Sequence, residues 1–343
     1  MNETNAPDVG GAAVLIIAEV GSVHDGSFGN ALRLIDVATE CGADVVKFQT
    51  HISAAETLRD APMPAYFKGE PRYAYFERTG FSLGQWLEMK AHCDDVGIEF
   101  LSSPFSIEAV DLLERVGVTR YKVPSGEGTN LPFLNRVGET GKPVLLSSGM
   151  STWAELDGAV EAIRAHHDRI TVLQCSSEYP CLPERVGLNV LQEMKERYGL
   201  PVGLSDHTMT AYSSYAAAVL GATVIEKHLT FSRKMYGSDA KHSLEPQQFA
   251  ELVAGVRAIE AMLAARVDKD DVERYAEMKH VFEKSIVAAA DIAEGTVLTR
   301  EMLAFKKPGT GISASRAQDM IGKRTRRPIA ADTLLEEDSL DGP

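Results

Sequence analysis

The sequence predicts an α/β protein: a (β/α)8 TIM-type barrel followed by a small β-rich domain. Eight short apolar runs each stop at a polar cluster, and a helix-like segment usually follows. The runs are four to six residues of mostly Val, Ile and Leu, the pattern of strands buried on both faces. Strands that alternate with helices form a parallel sheet, and eight of them close into a barrel whose strand C-termini face one pocket.

In chain order the runs close VLIIAEVGSVHDG (14–26), VVKFQTH (45–51), IEFLSSPFS (98–106), YKVPSGE (121–127), VLLSSGM (145–150), ITVLQCSSEYP (170–180), PVGLSDHT (201–208) and TVIEKHLT (223–230). Helices are expected at 29–41, 82–96, 106–116, 130–140, 152–166, 186–199, 211–220 and 246–265. The last has apolar residues at helical spacing and a proline near its start. The connection 50–80 is long for a βα loop and rich in Pro and Tyr, which points to a lid or an oligomer contact.

Residues 1–13 are expected to be disordered and 14–266 to form the catalytic barrel. The charged stretch 267–282 reads as a linker, and 283–343 as a separate domain. That domain is near the lower size limit for folding alone, so docking onto a barrel is expected. Its basic KRTRR run (323–327) reads as a solvated face.

The net charge of −14 argues against nucleic acid as a partner. No apolar run approaches the ~20 residues of a membrane span. The N-terminal residues lack the basic and apolar regions of a signal peptide. Cys41, Cys93, Cys175 and Cys181 show no disulfide-framework spacing. A cytoplasmic protein with reduced thiols is expected.

The candidate chemistry sits at the strand ends. His207 and His228 close runs seven and eight, and two imidazoles on one face can hold a metal with open positions. Glu19 and Asp206 are candidates for binding or orienting metal waters, and Cys175 and Cys181 are rival ligands. Lys47 and Lys122 close runs two and four among Ser102, Ser103, Ser125, Ser147, Ser148 and Ser205. Hydroxyls, glycine-freed backbone N–H groups and lysines make a cradle for phosphate or carboxylate. Schiff-base chemistry and plain ion pairing are the other uses of these lysines. Gln49, Tyr179 and Asp239 carry hydroxyl-reading side chains suited to a sugar, and packing or capping roles are their alternative.

AEVGSVHDG, VKFQTH, SSPFS, YKVPSGE, LSSGM, GLSDHT, IEKHLT and GSDAKHSLEP resemble the sialic acid synthase family, and the tail resembles its antifreeze-like (SAF) domain. The resemblance spans about residues 14–340. It implies condensation of phosphoenolpyruvate with an amino sugar of the N-acetylmannosamine type, giving a nine-carbon 3-deoxy-2-keto sugar acid and phosphate. It implies a divalent metal, manganese first with magnesium and cobalt as alternatives, held by His207 and His228. It also implies a domain-swapped homodimer in which each antifreeze-like domain caps the partner's barrel. Lys47, Ser103, Lys122, Ser125, Ser147 and Ser205 match the phosphoenolpyruvate cradle, with Glu19, Lys47 and Lys122 as the catalytic set. Gln49, Ser177, Tyr179, Asp239 and Lys307 match sugar contacts. Three departures bear on the sugar: Val23 replaces the usual Asn before a His, Ser177 replaces an Asn, and Lys307 stands where the family offers an Arg.

Overall fold

A computed structural model describes residues 13–62 and 69–341. The expected disorder of the N-terminus therefore falls, but for Ala13, outside the described residues, as does the centre of the long 50–80 connection. The chain divides into two compact units, the first ending at Ala265 and the second starting at Arg266.

In the first unit every apolar run is a strand: β1 (Leu15–Gly21), β2 (Val45–Thr50), β3 (Glu99–Pro104), β4 (Tyr121–Val123), β5 (Val144–Ser147), β6 (Ile170–Cys175), β7 (Val202–Asp206) and β8 (Val224–His228). All pair in parallel, in the order β3-β2-β1-β8-β7-β6-β5-β4. The strands at the ends of that order, β3 and β4, pack against each other, and the sheet closes as a TIM barrel.

Successive side chains of a strand point to opposite faces. Ile16, Ala18, Val46, Phe48, Phe100, Leu146 and Ile225 join the large core between sheet and helices. Ile17, Val45, Leu101, Leu145, Leu173 and Val224 form a separate cluster inside the barrel. That cluster is an apolar floor. Gly203 completes it, because a Cβ there would lie 2.5 Å from Leu173 Cδ2 and from the Val224 carbonyl oxygen. Two residues further along these seven strands the inward positions turn polar: Glu19, Lys47, Ser103, Ser147, Cys175, Ser205 and Glu226. The floor thus sets the depth at which chemistry begins.

Long helices cross between the strands: Phe28–Glu40, Leu83–Val96, Ile107–Val116, Leu131–Glu139, Trp153–Arg164, Leu188–Tyr198, Tyr212–Val219 and Pro246–Ala264. Their starts follow the local chemistry. Ser27, Ser106 and Asn130 accept N-cap hydrogen bonds, while Ser82 with Gln85 and Thr152 with Glu155 form capping boxes. The helices over 83–96 and 107–116 stop at Gly97 and Gly117, both left-handed. The 50–80 connection adds two short helices, Ser53–Glu56 and Arg72–Thr79.

Val23, one of the sequence departures, is fully buried in the apolar core. Next to it His24 is also buried, its Nδ1 accepting from the Gly26 N–H at 3.1 Å and its ring 4.7 Å from that of Phe81. Burial pushes the His24 imidazole down to about 4. A depressed imidazole binds its proton more weakly in the folded chain than in the unfolded one. Its contribution to stability is therefore complete above the unfolded value of about 6.5 and is lost as pH falls toward 4. We expect His24→Gln to remove about 3 kcal/mol of the stability difference between pH 7 and pH 4. Urea unfolding of both proteins across that range measures it; parallel pH dependences would refute the assignment.

The second unit holds a 3-10 turn at Glu273–Tyr275, a helix at Ala276–Phe282 and an antiparallel pair, β9 (Ser285–Ala288) with β10 (Leu303–Lys306). Ile286, Ile292, Leu298, Leu303, Met320, Ile329 and Leu335 form its core. Its basic run is paired within the unit: Arg326 with Asp341 at 2.5 Å, and Arg327 with Glu336 and Asp338. No helix among the described residues is long and apolar enough to cross a membrane.

Candidate active site

The strand C-termini open onto a cavity of about 360 Å³. Of the site residues predicted within the first unit, Glu19, Lys47, Gln49, Ser103, Lys122, Ser125, Ser147, Ser177, Tyr179, Ser205, His207, His228 and Asp239 line it. Lys307 belongs to the second unit, where its Nζ lies 4.8 Å from the centre of the Phe282 ring.

The deepest polar layer is a buried charge cluster. Lys47 Nζ is 2.7 Å from Glu19 Oε2, 3.1 Å from Ser103 Oγ and 3.6 Å from Glu226 Oε1. Lys122 Nζ donates to Ser147 Oγ at 2.8 Å and reaches Glu226 Oε1 at 3.4 Å, which also accepts from Ser205 Oγ at 3.2 Å. Glu226 is the functional candidate the sequence reading passed over. Burial raises its carboxyl, but Lys122 and Lys47 outweigh burial and hold it at about 2. Glu19 moves the other way: burial lifts it above the ordinary carboxylate range, Lys47 opposes and Glu226 adds. Burial lowers Lys47, but Glu19 and Glu226 more than restore its charge. Two carboxylates of unequal acidity between two ammonium groups form a pair that can divide acid and base roles.

Higher in the cavity the His207 and His228 rings lie 5.5 Å apart, centre to centre, and Tyr179 covers His207 at 4.2 Å. Burial lowers His228 to about 3, so its imidazole is neutral, and its buried Nδ1 has no hydrogen-bond partner among the described residues. A neutral imidazole with an unused nitrogen is a metal ligand in waiting. The two rings therefore fit a divalent cation whose other positions water and substrate fill. Among the described residues no group of three or more His, Cys, Asp and Glu side chains is placed to hold a metal. Cys175 does line the cavity, with its Sγ 3.9 Å from His207 Nδ1. Burial raises its thiol, and His207 outweighs burial to bring it down to about 6. Cys181 does not line the cavity; its Sγ accepts from Ser176 Oγ.

The expected role of Asp206 is corrected. Its carboxylate points out of the barrel, 2.7 Å from Lys227 Nζ, and accepts from Ser213 and Ser214 at 2.5 and 2.9 Å. Ser102 and Ser148 also face outward, onto Thr50 and Gln174. Asp239 is held at the mouth by Ser22 and Ser238. A Cβ on Gly21, whose φ is +56°, would collide with the Asp239 carboxylate, so this approach requires glycine. The long connection contributes His51, Arg72 and Phe76 to the lining, none of them singled out from sequence.

Comparison with known proteins gives two matching families, the NeuB family over residues 34–268 and the SAF domain over 283–341. The chain is 36% identical to the N,N'-diacetyllegionaminic acid synthase of Campylobacter jejuni over 94% of its own length and 99% of the relative's. It is 34% identical to the human N-acetylneuraminate-9-phosphate synthase, over 95% and 92% of the two chains. The crystal structure of N-acetylneuraminic acid synthetase from Leptospira borgpetersenii in complex with citrate superposes with a TM-score of 0.68 at 29% identity, covering 78% of this chain and 91% of that one.

Proposed function

The chain belongs to the NeuB family and is a synthase, and from that premise we propose that it condenses phosphoenolpyruvate with an amino sugar of the N-acetylmannosamine type. The products are a nine-carbon 3-deoxy-2-keto sugar acid and phosphate. The observation that carries this reading is the pairing, in one cavity, of an anion cradle with two imidazoles: Lys47, Lys122 and four serine hydroxyls below, His207 and His228 above.

Lys47 and Lys122, with Ser103, Ser125, Ser147 and Ser205, bind the phosphate and carboxylate of phosphoenolpyruvate. Gln49, Ser177, Tyr179 and Asp239 hold the open-chain sugar above it, with its aldehyde carbon over C3. A divalent cation on His207 and His228, with manganese the first choice and magnesium and cobalt the alternatives, supplies Lewis-acid polarisation of a carbonyl. The C3–C bond forms as the enol π electrons move to the aldehyde carbon, while the C=O π pair passes to the aldehyde oxygen, which takes a proton from solvent and becomes a hydroxyl. Water adds at C2, its proton accepted by Glu19. Phosphate leaves the tetrahedral carbon with the C–O electron pair, its charge met by the two lysines, and takes the proton of the new hydroxyl, so the 2-keto group remains.

Phosphate release from phosphoenolpyruvate is expected only when N-acetylmannosamine, a related amino sugar or its 6-phosphate is present. A panel of these sugars identifies the substrate by the highest kcat/KM. Equal release with no sugar, or none with any of them, would overturn the reading.

We also propose that the second unit caps a partner's cavity in a homodimer, with Lys307 reaching the sugar. The motif resemblance of the tail supports this, as does the small size of that unit. A His207 variant mixed with a Lys307 variant should regain activity, since one site of the mixed dimer escapes both lesions. No recovery despite subunit exchange would exclude the swap.

A further inference from the structure

We propose that His51 is a positioning residue that, together with Glu56, holds two protons and thereby fixes the Gln49 amide and the Glu19 carboxylate it supports. The assignment rests on the condensation reading above. His51 lies one residue past β2, with its ring between those of Phe76 and Phe105, at 3.6 and 4.1 Å and both inclined by 21°. That stack leaves the ring one plane to occupy. Within it both nitrogens are engaged: Nδ1 is 2.8 Å from Glu56 Oε1, and Nε2 is 3.1 Å from Gln49 Oε1. Gln49 Nε2 in turn donates to Glu19 Oε1 at 2.7 Å. Four side chains thus form one line from the buried Glu56 to the carboxylate beside Lys47.

Donor and acceptor requirements decide where protons stand in that line. Glu19 accepts on both oxygens, from Lys47 at Oε2 and from the amide nitrogen of Gln49 at Oε1, each at 2.7 Å. The amide oxygen then faces His51 Nε2, which must carry hydrogen. The contact between Nδ1 and Glu56 needs a second proton, on either atom. Removing one proton sets two acceptors face to face, at Nε2 or at Nδ1. If the Gln49 amide turns to relieve the first case, its oxygen meets Glu19 instead. Each arrangement leaves a buried repulsion in a site where an unpaired polar group is costly.

Among the described residues, the charged and titratable groups around His51 are Glu56, Arg72, Asp239 and His24. Burial disfavours the imidazolium and Arg72 adds to this, while Glu56 and Asp239 oppose them. Glu56 Oε2 is buried without a hydrogen-bond partner among the described residues, which a carboxyl sharing a proton with Nδ1 tolerates better than a free carboxylate.

The pH dependence of kcat in the parent, Glu56→Gln, Glu56→Ala and His51→Gln proteins tests the assignment. The amide of Glu56→Gln donates to Nδ1 at every pH, so Nε2–H persists. That variant should stay within about tenfold of the parent, with its alkaline limb displaced upward by more than about one pH unit. Glu56→Ala should lose kcat by about ten- to hundredfold while KM for phosphoenolpyruvate changes less than about threefold, because the lysine cradle is untouched. His51→Gln, which can still donate to Gln49, should be less impaired than Glu56→Ala and lack the shifted limb. A Gln variant at position 56 as impaired as the Ala variant, or one limb common to all four proteins, would overturn the proposal. The imidazole nitrogen resonances of His51 in the resting protein decide the same point without turnover. Nε2 protonated below the alkaline limb is the expected result, and an unprotonated Nε2 overturns it. If the condensation reading fails, parent and variants are alike inactive, and the nitrogen spectrum still settles His51.

Discussion

Exhaustive chelation should abolish product formation, and manganese added back should restore it. The reason is electrostatic. His228 is held neutral by burial, and Lys47 and Lys122 lie in the layer below the imidazoles, already paired with Glu19 and Glu226. A neutral imidazole carries no positive charge with which to polarise an aldehyde, and the two lysines are engaged below it. His207→Ala should lose bound metal and lower kcat/KM by roughly three orders of magnitude. The fold should survive, because His207 follows β7 at the cavity wall and lies outside the apolar core. Metal content, circular dichroism and turnover measured on one preparation check all three. Full activity after complete chelation would sink the metal role.

Lys47→Ala should reduce kcat/KM for phosphoenolpyruvate by about 10²–10³-fold, the usual cost of deleting a preorganised charge aimed at a developing anion. It should also destabilise the barrel by about 3–5 kcal/mol, because Glu19 and Glu226 lose the cation between them. Lys47→Arg is the informative control: it keeps the charge and part of the stability, but its planar fork cannot occupy the point where three partners converge. Initial-rate kinetics and urea unfolding separate the two losses. Borohydride trapping of substrate on Lys47 would replace the cradle with a Schiff-base mechanism.

The barrel was legible in the sequence because its signal is repeated: each strand is an apolar run and each run ends in polar residues. Helix starts were legible for a local reason, the Ser, Thr and Asn caps that match them within a residue or two. Within the site, Glu19, Lys47 and Lys122 were found inside their strands, while Glu226 was missed. Glu226 lies two residues before His228 on the same strand, so it had to share the inward face. The same period of two placed Asp206 outward once Ser205 and His207 were inward. Reading each strand as an alternation, and not only as a run with an end, would have recovered the first and excluded the second. His51, Arg72 and Phe76 are a different case. They enter the cavity from a long connection, where no periodicity says which side chains turn toward the barrel.

The apolar floor of the barrel carries a kinetic consequence. Six packed side chains close the cavity below the charge cluster, so in the proposed reaction both substrates use one mouth. The lysine layer lies directly on that floor, and Gln49, Tyr179 and Asp239 stand above it. A sugar seated first would block the path of the smaller anion. Binding should therefore be ordered, with phosphoenolpyruvate preceding the sugar. An unreactive sugar analogue should then inhibit uncompetitively against phosphoenolpyruvate, while a phosphoenolpyruvate analogue competes with it.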